Sequence, residues 1–405
     1  MTCTKKNRKK RFKYIDIFAG CGGIDLGFYN AGWEGLFAIE KNPMAFETLK
    51  HNLIDNRSHF RWPRWLPVRN YCINTVLKKY KTELEKLRGK VDLVAGGPPC
   101  QGFSMALGKR NKNDFRNKLV NSYIRFVATV RPKVLFFENV RGFTIGFKDG
   151  LERGTPYSDR VLRRLKKLGY EDVQGRMIEF SEFGVPQRRT RFIIIGTLKG
   201  NANDYFENIY KKRNAFLKKK GLSKRISVKQ AISDLEQING DFSSPDTKHF
   251  LAGYYGVSRT KFQKFLRNGD RREYPDSHRF SNHSKGTVKV FKHLLKNAER
   301  NKQISESVRA KCGVKKRSLV ILSDVMVSPT LTTHPDDYVH YREPRILTAR
   351  EYARIQTFDD AFEFKGKYTT GGKVRIREVP RYTQLGNAVP PLFAEQSALV
   401  LKNMF

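Results

Sequence analysis

Cys100 lies in the run Gly96-Gly97-Pro98-Pro99-Cys100-Gln101-Gly102-Phe103-Ser104, directly after the apolar segment VDLVA. Proline fixes φ, so two prolines hold the cysteine in one place at the end of a strand. A free thiol, with a pKa of about 8.5, is only slightly ionised at neutral pH and needs help from its surroundings to act as a nucleophile. A buried structural cysteine is the plain alternative, but Cys100 is flanked by turn residues rather than by an apolar face. The Pro-Cys-x-x-Cys signature of zinc deaminases fails because residue 103 is Phe. A second group is Glu138-Asn139-Val140, at the end of the apolar run VLFF. A carboxylate there is costly without a partner, unless Glu138 is simply solvent-exposed. The third group is Gln187-Arg188-Arg189-Thr190-Arg191, entering RFIIIG. Arg189 and Arg191, two residues apart on a strand, should project from one face and bind an anion, either phosphate or the carboxylate of Glu138. Arg188 reads equally well as a solvated strand end.

A ligand loop precedes these groups. Phe18-Ala19-Gly20-Cys21-Gly22-Gly23 follows the strand-like YIDIF, and Glu40 closes the next strand about 20 residues on. The dinucleotide fingerprint would need Gly where Asp25 stands, and no Gly-Lys-Ser/Thr follows for a phosphate loop. Glycines at a strand-to-helix turn let the backbone approach a ligand closely, and an acid at Glu40 can accept from ribose hydroxyls. The pattern suits a nucleoside cofactor without a pyrophosphate, though a tight structural turn would also use the glycines.

Residues 14–18, 35–40, 91–97, 134–140 and 191–197 read as strands, and 23–32, 45–53, 121–130 and 160–169 as helices. Apolar strands alternating with helices predict a parallel sheet covered on both faces, with ligands beyond the carboxyl ends of the strands. From about residue 199 the alternation gives way to Lys-rich helical stretches (210–221) and mixed Gly, Ser, His and Tyr segments, which suggests a smaller domain. Regular patterning returns at 345–358, and 388–405 reads as a final helix.

The chain has 405 residues, and Lys+Arg 79 against Asp+Glu 39 gives a net charge of +40. Hydrophobic residues at 39% and aromatics at 12% exclude a wholly disordered chain. The charge points to a polyanion, nucleic acid ahead of an anionic membrane, the alternative being basic residues spread over every surface. The five cysteines form no CxxC pair, which disfavours a disulfide framework or zinc ribbon and fits a reducing compartment. No apolar run approaches the ~20 residues of a membrane span. The basic start, TKKNRKKRFKY, is no signal peptide; it is either a frayed tail or an arm that touches phosphates.

DIFAGCGGIDLGF, Glu40, GGPPCQGFS, ENV, QRRTR, LTAREYARIQTF and YTQLGNAVPP occur in this order. The ordered set resembles that of the cytosine-C5 DNA methyltransferases of bacterial restriction–modification systems, over about residues 14–198 and 343–405. The resemblance implies an α/β, doubly wound, mostly parallel sheet of the S-adenosylmethionine-dependent methyltransferase type with an inserted smaller target-recognition domain. Residues 1–198 plus 382–405 would form the catalytic, cofactor-binding domain, and 199–381 the recognition domain and hinge. By the same resemblance Cys100 is the nucleophile that attacks carbon 6 of a cytosine, and Glu138 bonds ring nitrogen 3 and the exocyclic amine, supported by Arg189 and Arg191. Phe18, Gly20, Gly22, Glu40, Pro99, Asn387 and Val389 would line the cofactor pocket, and Gln101, Ser104, Thr330 and Leu331 would contact DNA. The implied partner is double-stranded DNA, in the cytoplasm of a bacterium, with a monomeric enzyme paired functionally with a restriction endonuclease but forming no stable complex with it. One departure stands out: VRNYCIN (68–74) lacks the family's acidic residue near the adenine, leaving that contact unassigned. A tRNA-acting relative is the nearest rival, and the long insertion before residue 345 favours a DNA reader. A catalytically silent DNA-binding regulator is opposed by intact Cys100, Glu138 and Arg189.

Overall fold

The computed structural model describes residues 11–99, 118–146, 148–149, 152–268, 270–371, 374 and 377–405. Cys100, Gln101, Ser104 and most of the basic N-terminal run lie outside the described residues.

The central sheet has six strands: β1 (Lys13–Ile17), β2 (Glu34–Ile39), β3 (Leu93–Gly96), β4 (Val134–Val140), β5 (Asp172–Glu179) and β6 (Thr190–Thr197). Their order is β2-β1-β3-β4-β6-β5. β1 to β4 run parallel, while β6 is antiparallel to both of its neighbours. The short link from β5 to β6 has no room for the crossover that a parallel pair needs, so β6 must run back. β5 has no counterpart in the sequence reading. It is an edge strand whose DVQGRMIE is polar and carries Gly175, so it lacks the apolar run that marks its neighbours.

Alternate residues face opposite sides of the sheet. Tyr14, Leu93, Ala95, Val134, Phe136, Ile193 and Ile195 pack on one side. Ile15, Ile17, Val94, Leu135, Phe137 and Ile194 pack on the other. The helix Gly23–Asn30 lies against the C-terminal helix Pro391–Leu401. Gly27 allows this approach: a Cβ there would stand 2.5 Å from Ala394 Cβ and 2.6 Å from both Glu395 N and Pro391 O. Two of those atoms are backbone and cannot step aside, so Gly27→Ala is expected to cost about 1–3 kcal/mol, read as a lower denaturant midpoint.

Just past the expected boundary at 199 comes a helix that packs against the sheet's own layer. The helix Asn203–Lys219 packs on Pro391–Leu401, and its Tyr205, Phe206 and Ile209 join one face of the sheet. The apolar stripe, not the lysines around it, decides where this helix goes. Residues assigned to the hinge behave likewise. Tyr352, Phe358, Phe362 and Phe364 share a cluster with Ala19, Cys21, Leu26, Leu49 and Leu53 beside the glycine loop. The intervening region has a small core of its own, built on Phe291, Leu294, Ile304, Leu319, Ile321, Val339 and Ile346.

Candidate active site

β1 hands the chain to the glycine loop, where the backbone turns left-handed at Phe18 (φ 65°), Gly20 (φ 59°) and Gly22 (φ 92°). Phe18 N and Ala19 N both donate to Ile39 O, at 2.8 and 3.1 Å, which ties the loop to the end of β2. Glu40 is fixed there. Its Oε2 accepts from Gly20 N at 3.0 Å and its Oε1 from Asn42 N at 2.6 Å. Burial raises the pKa of this carboxyl, and the N–H groups of Asn42 and Gly20 oppose the rise.

The residues present fit a cationic nucleoside-type cofactor. A Cβ on Gly20 would meet nothing within 4 Å, so the loop borders open space at that point. At the end of β1 the Asp16 carboxylate is fully buried beside the Asp25 carboxyl and the Ile17 N–H. Burial first, and then the neighbouring Asp25 carboxyl, drive the Asp16 pKa well up. Asp25 is itself pushed up to about 7 by burial, although Tyr14 Oη donates to its Oδ1 at 2.8 Å. A positively charged ligand group close to the loop would offset these buried acids. Cys21, in the same loop, has a thiol whose pKa burial raises strongly, as suits a packing residue.

A second cluster forms beyond β3, β4 and β6. Glu138 Oε1 meets Arg191 Nε at 2.9 Å, and both side chains are 12% exposed. The register pairs Glu138 with Ile193 and Val140 with Arg191, so the ion pair runs diagonally between antiparallel neighbours. Burial lowers the pKa of Arg191 and Glu138 raises it again. Glu138 also closes on the proline loop, since a Cβ on Gly97 would stand 2.9 Å from its Oε2. Asn139 Nδ2 donates to Pro98 O at 3.3 Å, pinning that loop to β4. Pro98 is buried and Pro99 exposed at the last described position before Cys100.

Arg189 departs from expectation. Rather than joining Arg191 on Glu138, it is 2% exposed and donates to Leu331 O at 3.3 Å and Gly386 O at 2.9 Å. Its charge still feels both Arg191 and Glu138. It acts as a clasp between three segments. Burial depresses its pKa, Arg191 adds to this, and Glu138 opposes it.

The segments it clasps carry other predicted residues. Asn387 is exposed, whereas Val389 is buried with its carbonyl against Gly23, 2.4 Å from where a Cβ there would stand. Thr330 is half-buried, its Oγ1 donating to Arg188 O at 2.6 Å. Leu331, expected at the DNA, has its side chain 1% exposed in the core, where it anchors the segment.

Two buried glutamines escaped the sequence reading. Gln187 Oε1 accepts from Leu331 N at 2.9 Å, and Gln187 Nε2 donates to Gln356 Oε1 at 2.9 Å. Gln356 Nε2 continues to Leu385 O. The available signal was an uncharged polar residue inside each of QRRTR and RIQTF. Asp16, an acid within the apolar YIDIF, was a third such signal.

A mostly parallel sheet with one reversed strand, a glycine loop after β1 tied to Glu40 and a Glu–Arg pair beside a proline loop match an S-adenosylmethionine-dependent methyltransferase fold. The family of C-5 cytosine-specific DNA methylases matches residues 12–403, and the chain belongs to it. It is thus a DNA (cytosine-5-)-methyltransferase by family. Among curated relatives, Type II methyltransferase M.DdeI of Desulfomicrobium norvegicum is 30% identical over 399 residues, covering 95% of this chain and 87% of the relative. Type II methyltransferase M1.HphI of Haemophilus parahaemolyticus is 29% identical over 401 residues, covering 96% and 87%. A solved E. coli structure, described as a prophage-encoded DNA modification methyltransferase, shares the fold. Its TM-score is 0.63 at 22% identity, over 97% of this chain and 99% of that one.

Proposed function

We propose that this protein transfers a methyl group to carbon 5 of a cytosine at a specific sequence in duplex DNA, through a covalent adduct at Cys100. The observation that carries this reading is the buried Glu138–Arg191 pair held against Gly97, three residues before that cysteine. Carbon 5 of cytosine is a poor nucleophile. Addition of the Cys100 thiolate to carbon 6 converts the ring to an enamine whose carbon 5 can attack an electrophile. Glu138, oriented by Arg191, bonds ring nitrogen 3 and stabilises the charge that builds up there. A base then takes the carbon 5 proton, the Cys100–carbon 6 bond breaks, and the ring double bond is restored. S-adenosylmethionine, when bound, would supply the methyl group from its sulfonium, whose sulfur–methyl bond breaks to leave a neutral thioether. Phe18, Gly20, Gly22 and Glu40 would hold the cofactor, together with Pro99, Asn387 and Val389.

Carbon 6 is inaccessible inside a duplex, so the target base must leave the stack, at a cost of a few kcal/mol offset by contacts to phosphates and the orphan base. Gln101, Ser104 and Thr330 are proposed as DNA contacts, of which Gln101 and Ser104 lie outside the described residues. The +40 charge implies many phosphate contacts. Duplex affinity should fall about 10³-fold or more between 50 and 200 mM salt if about six phosphates are neutralised, measurable by anisotropy. In the cell we place the protein as a cytoplasmic monomer that protects host DNA from a cognate endonuclease without a lasting complex. Bisulfite sequencing of DNA from cells expressing the chain tests the reading. Complete methylation of one short sequence supports it. Unmodified DNA together with methyl transfer to tRNA would replace it with the RNA-acting alternative.

A further inference from the structure

Four buried ionisable side chains beside the glycine loop take no part in the chemistry above. Tyr14 and Asp16 come from β1, Asp25 from the helix Gly23–Asn30, and His59 from the segment before Phe60. Asp16 and Asp25 lie side by side, within hydrogen-bonding reach of each other. Two ionised carboxylates only accept, so such a contact forms when one of the pair carries a proton. Tyr14 Oη donates to Asp25 Oδ1 at 2.8 Å and lies 2.7 Å from His59 Nε2. A hydroxyl has one proton to give, so His59 Nε2 donates in turn to Tyr14. The chain from His59 through Tyr14 and Asp25 to Asp16 thus ends on a single shared proton.

This pair of acids is anchored in the loop that would carry the cofactor. Asp16 stands two residues before Phe18, and Asp25 Oδ2 lies 3.7 Å from where a Cβ on Gly22 would stand. Glu40, at the end of β2, adds its negative charge to the surroundings of Asp16. Among the described residues no lysine or arginine pairs with either Asp16 or Asp25. The other groups that face the pair keep their protonation near neutral pH. Burial pushes His59 down to about 3, so it stays uncharged. Burial also drives the Tyr14 hydroxyl, the Cys21 thiol and the Tyr123 hydroxyl, from the helix Lys118–Val130, well up. Asp25, pushed up to about 7, is the group poised to change.

We propose that Asp16 and Asp25 give up their shared proton when a sulfonium sits on the glycine loop and regain one when the neutral thioether product replaces it, so that the pair tells cofactor from product. This rests on the S-adenosylmethionine reading above. The proton passes to the buffer, and only an O–H bond breaks. A nearby cation favours the doubly ionised pair, so preference for the sulfonium over the thioether should grow as pH rises and shrink as it falls. The test is calorimetric titration of DNA-free protein with S-adenosylmethionine and with S-adenosylhomocysteine, in buffers of unlike ionisation heat. Near neutral pH, wild type should release about half a proton more with the sulfonium ligand than Asp25→Asn does, after the thioether value is subtracted from each. The asparagine amide can accept from Tyr14 and donate to Asp16 but cannot ionise, and protons that belong to the ligands cancel between the two proteins. Tyr14→Phe removes a donor that favours the ionised carboxyl, so its pH of half-release should move up. Equal release from wild type and Asp25→Asn, or a midpoint in Tyr14→Phe that stays or falls, overturns the shared proton while leaving the function intact. Should Asp25→Asn fail to fold, the Tyr14→Phe midpoint decides alone. A wild-type protein that binds neither ligand overturns the cofactor reading itself.

Discussion

Cys100→Ala is expected to lower methyl transfer to duplex DNA by at least about 10³-fold, because removing an attacking nucleophile removes the covalent route itself. Duplex affinity in this variant should stay within a few-fold of wild type. Binding draws on phosphate contacts spread over a strongly basic chain, and the thiol is no part of them. Labelled methyl transfer and anisotropy on the same preparation separate the two quantities. A variant that retains full activity would reject Cys100 as nucleophile. Cys21 could not stand in, since it is buried and its thiol is held protonated.

The second large effect is expected at the Glu138–Arg191 pair. In Glu138→Gln the amide oxygen can still accept from Arg191, so the fold should survive. It can no longer deliver a proton to ring nitrogen 3, and the single-turnover rate should fall about 10²–10⁴-fold. Arg191→Ala should lower both rate and stability. It leaves a nearly buried carboxylate unpaired, a loss of about 3–5 kcal/mol for a buried pair. Arg191→Lys should rescue only in part, because the contact runs through Nε of a planar guanidinium that a lysine cannot reproduce. Equal rates for Glu138→Gln and wild type would remove the acid from the mechanism.

What could be read in the sequence follows from how locally each feature is determined. β1 to β4 and β6 are buried on both faces, and their continuous apolar runs mark them within a residue or two. β5 lies at an edge with a polar sequence and leaves no such mark. The Glu138–Arg191 pair was legible because each residue ends or begins an obvious strand. Arg189 was not, since its partners are carbonyls 142 and 197 positions away and no local pattern announces them. The same holds for Leu331, whose burial is decided by Gln187 and Arg189 on another segment. The packing of 203–219 was hidden by its charged residues, while Tyr205, Phe206 and Ile209 carry it onto the sheet.

The most direct measurement uses the duplex site found by bisulfite sequencing, with 5-fluorocytosine at the target, incubated with the protein and S-adenosylmethionine. Fluorine at carbon 5 blocks the final elimination. The expected result is a denaturation-resistant protein–DNA species whose digest places the cross-link on Cys100, absent in Cys100→Ala. No such species from protein that methylates the ordinary duplex, or a cross-link at any other residue, would contradict attack by Cys100 on an extruded cytosine.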